Sequence, residues 1–455
     1  MRQRITNGTV AASAALFWSW TPIYSCHAFA PPRPSSTSSR SSNTTPKSPS
    51  SLHSTVLAND VGKEAPLIVP PLSALVDDIP YFISSMGNAE ISTFDASMID
   101  DAPPRAGAIM KMLPTDTWDV STPTSLMYFA IDVVAVVSSM SFLNAVVTSD
   151  VYHSLPPLEQ LALVLPLQVL TGFAMWCTWC IGHDAGHGTI SKERGYGDAI
   201  NRLVGEVCHS AICLTPFVPW QLSHRKHHLN HNHLERDYSH QWYVREESDD
   251  LHPLIKLGHS TRMLFLPFLY FVYLVAGVPD GGHVFFYGRM WEGHTAKEKA
   301  DAALSVAVSF ATAGTLWHNM GTSDFAVVCM VPWMVMSFWL FMVTYLQHHS
   351  SDGRLYTDDT FTFERGAFET VDRDYGKWVN RLSHHMMDGH VVHHLFFTKV
   401  PHYRLEAATA ALREGMRELG QGHMYKRVDT PDYSQEIVRQ FHDNWFFIDE
   451  DRVVR

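Results

Sequence analysis

Three histidines fall within five residues at His390, His393 and His394. The spacing i, i+3, i+4 puts all three imidazoles on one face of a helix, about one turn deep. His224, His227 and His228 repeat that spacing, and His183 and His187 form an i, i+4 pair. Neutral imidazole is the commonest side-chain ligand for transition metals. Eight histidines exceed the four ligands of a structural zinc and point to two ions. None of the clusters contains cysteine, so neither an iron–sulfur cluster nor a zinc finger fits. Imidazole serves iron, copper, zinc and nickel alike, so the spacing leaves the metal open. Taken alone, His183 and His187 are a weak signal. His224, His227 and His228, beside Arg225 and Lys226, also fit a basic patch for lipid phosphate. The three clusters together read as one site built from distant parts of the chain.

Other residues gather around this set. His348 lies just past a long apolar run, one turn after Thr344, and is placed to act as a ninth ligand, with His349 as its spare. Asp184 and Asp388 adjoin cluster histidines and suit carboxylates that orient an imidazole N–H; helix capping is their other reading. His385 is a further candidate for that outer role. His209, His231, His233 and His294 fall outside the spacing and read as ordinary interfacial histidines.

Apolar segments must carry these clusters. Runs at 125–147, 158–181, 302–317 and 325–346 approach the roughly 20 residues a membrane span needs. A fifth run, 263–278, is short and contains Pro267. Parity decides its role. The first two clusters follow the second run, and the third must return to the same side to share their site. Two crossings between residues 228 and 390 achieve this and three do not. The turns at 148–157 and 318–324 lack Lys and Arg, whereas Lys192, Arg194, Arg202, Arg225, Lys226, Arg236, Arg245 and Lys256 accompany the histidines. The expected fold is an all-α integral membrane protein: four transmembrane helices in two hairpins, with a histidine-rich cap and interfacial helices on one side. The stretches 203–220 and 263–278 should lie at the interface, with Trp220, Trp242, Tyr270 and Tyr273 in an aromatic belt.

Composition agrees. Of 455 residues, 46% are hydrophobic and only 18% charged, below the roughly 25% of soluble domains. The net charge of −12 argues against a nucleic-acid partner. Cys177 and Cys180 form a CxxC inside an apolar run and read as buried reduced thiols. Residues 1–28 have Arg2 and Arg4 before a short apolar core, the pattern of a signal peptide. Residues 29–59 are rich in Ser, Thr and Pro and carry no acid, as a transit segment would. The junction His27-Ala28-Phe29-Ala30-Pro31 resembles that of proteins sent to the complex plastids of diatoms and related algae. Residues 60–119 form an N-terminal region of mixed character. Residues 405–419 predict an amphipathic helix with Leu405, Ala408, Leu412, Met416 and Leu419 on one side.

The clusters lie at the mouths of apolar runs, where a long apolar substrate has room. Attack on an unactivated C–H bond needs activated oxygen, which redox-inert zinc does not supply. Further motifs narrow the reading: Thr344-Tyr345-Leu346-Gln347-His348, Arg365-Gly366-Ala367-Phe368, Val371-Asp372-Arg373-Asp374-Tyr375-Gly376, and His394-Leu395-Phe396 through Pro401-His402-Tyr403. With the three histidine boxes they resemble the membrane-bound acyl-lipid fatty acid desaturases of the methyl-end type. Pro279-Asp280-Gly281-Gly282-His283 and Asp388-Gly389-His390 are closer to the nematode variant than to the plant one. Ala185 stands where many relatives have Cys, at a position that is not a ligand. The resemblance covers residues 120–410 as a desaturase domain, followed by a tail at 411–455.

That resemblance implies a non-haem di-iron centre held by His183, His187, His224, His227, His228, His390, His393 and His394, with His348 as the ninth ligand. It implies O2 as co-substrate, glycerolipid acyl chains as substrate, and a methyl-end cis double bond as product, ω-3 (Δ15) favoured over Δ12. No His-Pro-Gly-Gly signature of a fused cytochrome b5 occurs, so the electron donor is external. It would be ferredoxin in a plastid membrane or cytochrome b5 in the endoplasmic reticulum. A fatty-acid or carotenoid hydroxylase would share the boxes but not the 344–376 and 394–403 motifs. A histidine-rich zinc transporter would place ionisable ligands inside its spans, where this chain has Asp132 and, at the very start of the second run, Glu159.

Overall fold

A computed structural model of the chain describes residues 102–237, 240, 242–251, 253–265, 282–350, 352–429, 433–444 and 446–455. The signal and transit segments, most of the 263–278 run, and Tyr270 and Tyr273 lie outside these residues. Among the described residues, four helices are long and apolar enough to cross a membrane.

Helix α1, Thr122–Val147, starts at Ser121, whose hydroxyl accepts from the Thr124 N–H. Helix α2, Pro157–His187, opens on a proline, whose missing N–H costs nothing at a helix start. It stops at Gly188, whose φ of 71° is left-handed and cheap only for glycine. At 31 residues it is about 46 Å long, half again the thickness of a bilayer core. Its last turn therefore carries His183 and His187 beyond the apolar stretch. Helix α3, Gly197–Gly205, runs into a π-helical turn, Glu206–Ile212, and helix α4, Phe217–Asn230, follows. The two arms bend by 111°.

Helix α5 is Pro253–Phe265. The third long helix, α6, is Ala296–Met320, extended beyond the apolar run because Thr295 and Glu298 form a capping box that makes the charged first turn helical. The fourth long segment, Thr322–His348, is three helical pieces in line, of which α7, Val331–His348, carries His348 on its last turn. Helix α8 is His390–Phe396, α9 is His402–Glu418 and α10 is Tyr433–Asp443.

Helix α2 is central and packs against both α1 and α7. Where α2 meets α7, a Cβ added at Gly172 would stand 2.5 Å from the Val335 Cβ, so only glycine allows this approach. Large apolar side chains point outward along the spans: Val134 is 63% exposed, Leu158 77% and Phe310 61%. Such a surface suits lipid rather than water. Asp132, an acid inside the first span, is buried and meets His384 Nε2 at 2.6 Å. Cys177 and Cys180 are buried free thiols.

The C-terminal region straps the cap with three short parallel pairs. Strands β1 (Tyr243–Val244), β2 (Leu355–Tyr356) and β3 (Val371–Arg373) pair with β5 (Phe447–Ile448), β6 (Val453–Val454) and β4 (Lys426–Val428) respectively. Along α9, Leu405, Ala408, Leu412 and Met416 are fully buried. Leu419, expected on that face, is exposed because the helix ends at Glu418 and the chain turns away.

Candidate metal centre

Helices α2, α4, α7 and α8 bring their histidines into two groups. In the first, one ring nitrogen each of His183, His187, His224, His228 and His393 lies within 4.8 Å of the others. The same holds in the second for His227, His231, His348 and His394. His390 joins the second group through its Nε2, 3.3 Å from His348 Nε2.

Many of these nitrogens are mutual neighbours. His183 Nε2 is 2.8 Å from His224 Nε2, and His224 Nε2 is 2.9 Å from His228 Nε2. His227 Nε2 is 3.0 Å from His348 Nε2, which is 3.1 Å from His394 Nε2. An ion bound by nitrogens at about 2.1 Å places adjacent ligands about 3.0 Å apart when they subtend a right angle. The convergence of ring nitrogens at this spacing is what a bound metal needs, so the residues present fit one ion per group.

In three of the histidines the other ring nitrogen faces outward, toward an acceptor. His227 Nδ1 donates to Asp237 Oδ1 at 2.9 Å and His390 Nδ1 to the Met386 carbonyl at 3.0 Å. His348 Nδ1 donates to the Thr344 carbonyl. Such contacts fix the tautomer and leave Nε2 as the ligand atom. Burial pushes His390, His393 and His394 far below the usual imidazole range, and the neighbouring imidazoles push the same way. Their rings are therefore neutral at physiological pH, the form that binds metal.

The outer residues are placed differently from expectation in part. Asp184 Oδ2 accepts two bonds from His402, from its backbone N–H and its Nδ1, each 3.0 Å; Asp184 Oδ1 is 3.8 Å from His183 Nδ1. Thr344 acts through its backbone carbonyl, while its hydroxyl turns back to Leu340. Asp388 and His385 pair with each other at 3.2 Å, and His385 approaches Glu406 at 3.6 Å. Asp237, which the spacing did not single out, takes up the carboxylate–imidazole role at His227.

Three histidines read as interfacial are buried: His209, His231 and His233, the last with its Nε2 3.0 Å from Asp358 Oδ1. His209 is fully buried, stacked on Trp179 with ring centroids 3.9 Å apart, and its Nε2 is 3.0 Å from the Trp179 carbonyl. His231 is buried within the second group. Its signal was present: it lies four residues after His227, at the residue that caps the end of α4. His402 lies in a quoted motif, yet only the fold reveals its partner. Trp220 and Trp242 are also buried rather than in an aromatic belt. Trp220 stacks on His224 at 4.5 Å and Trp242 lies 4.3 Å from His349, so both wall the histidines instead of facing lipid.

Comparison with known proteins decides the family. Residues 160–427 match the model of the fatty acid desaturase family. The chain belongs to the fatty acid desaturase family. This desaturase is 32% identical to a Δ12 fatty acid desaturase of Caenorhabditis elegans over 59% of its own length and 67% of the relative's. It is 34% identical to an acyl-lipid omega-3 desaturase (cytochrome b5) of the endoplasmic reticulum of Arabidopsis thaliana, over 72% and 79%. It is 36% identical to a temperature-sensitive sn-2 acyl-lipid omega-3 desaturase (ferredoxin), chloroplastic, of the same plant, over 53% and 54%. The desaturase is thus an oxidoreductase with a histidine-rich candidate metal site and four candidate membrane helices.

Proposed function

We propose that this desaturase inserts a methyl-end cis double bond into lipid-bound acyl chains at a non-haem di-iron centre, ω-3 (Δ15) favoured. The observation that carries the reading is the pair of all-imidazole groups at the ends of long apolar helices. The ligands are His183, His187, His224, His227, His228, His348, His390, His393 and His394. Bound iron would supply the activation of O2 that an unactivated C–H bond requires. The overall change removes two hydrogens from adjacent methylenes. With O2, two electrons and two protons it yields one double bond and two waters.

The chain's own residues hold and shield. Asp237 and the Met386 and Thr344 carbonyls keep His227, His390 and His348 in the ligand tautomer. Trp220 and Phe397, stacked on His224 and His228, exclude water from the first group. Four helices in two hairpins put every box on one side of the membrane, as the parity and charge of the connecting segments require. The electrons come from an external donor: ferredoxin if the N-terminal 59 residues direct the chain to a plastid membrane, cytochrome b5 if it resides in the endoplasmic reticulum. Relatives are named with each donor.

The two plant relatives named omega-3 support the ω-3 reading. The nematode relative named Δ12 keeps Δ12 insertion as the second reading. The test is to express the full chain, with ferredoxin or cytochrome b5 supplied, in a host lacking polyunsaturated fatty acids. Oleate and linoleate are fed and new double bonds located by mass spectrometry, with His393→Ala as the blank. Linoleate converted to α-linolenate is the expected result. Oleate converted to linoleate establishes Δ12. A new hydroxyl in place of a double bond overturns both.

A further inference from the structure

The nine ligands above divide unevenly between the two groups, and the helices show why the count is incomplete. The first group is two i, i+4 pairs and a single histidine: His183 with His187 on α2, His224 with His228 on α4, and His393 on α8. The second group repeats this plan only if His231 is included: His227 with His231 at the end of α4, His390 with His394 on α8, and His348 on α7. Residues of α4 and its C-cap thereby feed the two ions in parallel, His224 and His228 to one, His227 and His231 to the other.

His231 is 1% exposed. Its ring centroid is 4.8 Å from those of both His348 and His394 and 5.0 Å from that of His227. Its Nδ1 lies 3.4 Å from Asp237 Oδ2, the same carboxylate that orients His227. Both its ring nitrogens are buried, and neither makes a hydrogen bond among the described residues, Nε2 facing the imidazoles of the second group. A buried polar atom left unpaired costs about 1–3 kcal/mol, a cost a ligand would remove. Asp237 thus lies beside two imidazoles at once, bonded to His227 and 3.4 Å from the Nδ1 of His231.

We propose that His231 is a tenth protein ligand, the fifth imidazole on the second ion, so that both ions carry five. The proposal rests on the di-iron reading. It sets His231 apart from a core histidine whose task is to pair with Asp237.

The two roles separate by substitution. In His231→Asn the amide nitrogen takes the place of Nδ1 beside Asp237, but nothing replaces Nε2. The full chain, wild type and variant, is purified in lipid nanodiscs, loaded anaerobically with ⁵⁷Fe, and measured for iron content, Mössbauer spectrum and the rate of iron release to a chelator. The wild type should hold two irons. In His231→Asn one of the two iron signals should shift while the other stays, and one ion should be released at least about 10–100-fold faster, the loss that removing even an outer partner of a ligand causes. His349→Asn, at a buried histidine beside the second group, should leave the spectrum as in the wild type. A His231→Asn spectrum and release rate equal to wild type overturn the proposal and leave the di-iron reading standing. A wild type that holds no iron overturns both, and does so before any variant is made. If the Asn variant does not accumulate, His231→Ser, which likewise places no group at the Nε2 position, gives the same reading, and an unshifted spectrum there overturns the assignment equally.

Discussion

At the scale of single residues, the centre depends on which ring nitrogen faces inward, and that is set by groups that touch no metal. Asp237 accepts from His227 at 2.9 Å and lies 3.4 Å from His231. Burial alone would raise its carboxyl, but His227, and the nearby His231 after it, outweigh that and hold it below the usual carboxylate range. Burial in turn holds His231 down at about 4, against the pull of Asp237. The prediction is that Asp237→Asn folds but loses about 10–100-fold in iron affinity or turnover, read by iron titration and product formation. His385 behaves oppositely. Burial would lower it, but the hydrogen bond and charge of Asp388 prevail and raise it above the ordinary imidazole value. The folded state therefore holds this proton more tightly than the unfolded chain. The stability it contributes is full below the unfolded pKa of about 6.5 and is lost as pH rises through the folded value. The apparent melting temperature should fall between neutral and alkaline pH, and His385→Gln should flatten that slope. An equal slope in the variant would remove His385 from the account.

At the scale of elements, two packing decisions place the boxes. The close approach of α2 to α7 at Gly172 fixes the helix ends that carry His183 and His187 into the first group and His348 into the second. Gly172→Leu should drive the helices apart and abolish both folded accumulation and iron binding, measured by detergent-stable yield and metal content. Normal yield with normal iron would refute it. The α3–α4 turn is held by a buried carboxylate. Glu206 pairs with Arg202 at 2.7 Å and accepts from Ser210 and Ser305 at 2.5 Å. Those hydroxyls in turn accept from the Phe217 and Val218 N–H groups that open α4. The sequence reading treated 203–220 as an apolar interfacial stretch. The structure shows a polar clasp inside it, tying α4 to α6.

At the scale of the whole molecule, the C-terminal strap joins loops that are far apart in the chain. Residues Tyr243, Leu355 and Val371 pair in parallel with Phe447, Val453 and Lys426. Arg245 adds an ion pair to Asp449 at 2.7 Å. Deletion of residues 447–455 removes two of the three strand pairs. It should lower the apparent melting temperature by several degrees and open the segment near residue 356 to protease, while the membrane helices remain intact. Unchanged melting and cleavage would show the strap to be dispensable.

The histidine boxes, the apolar runs and the resemblance to the desaturases were legible in the chain because helical spacing and span length are local properties, set within a few turns. The same locality extended to His231, which lies four residues after His227 at the cap of α4 but was passed over because it falls outside the five-residue motif. Which histidine joins which group was not legible. His224 and His227 are three residues apart yet serve different groups, and that division depends on how α4 rotates against α2, α7 and α8. The partners Asp132–His384 and Asp184–His402 are likewise separated by 252 and 218 residues. Contacts of that kind follow from packing, since no periodicity in one segment states what a distant segment will bring to it.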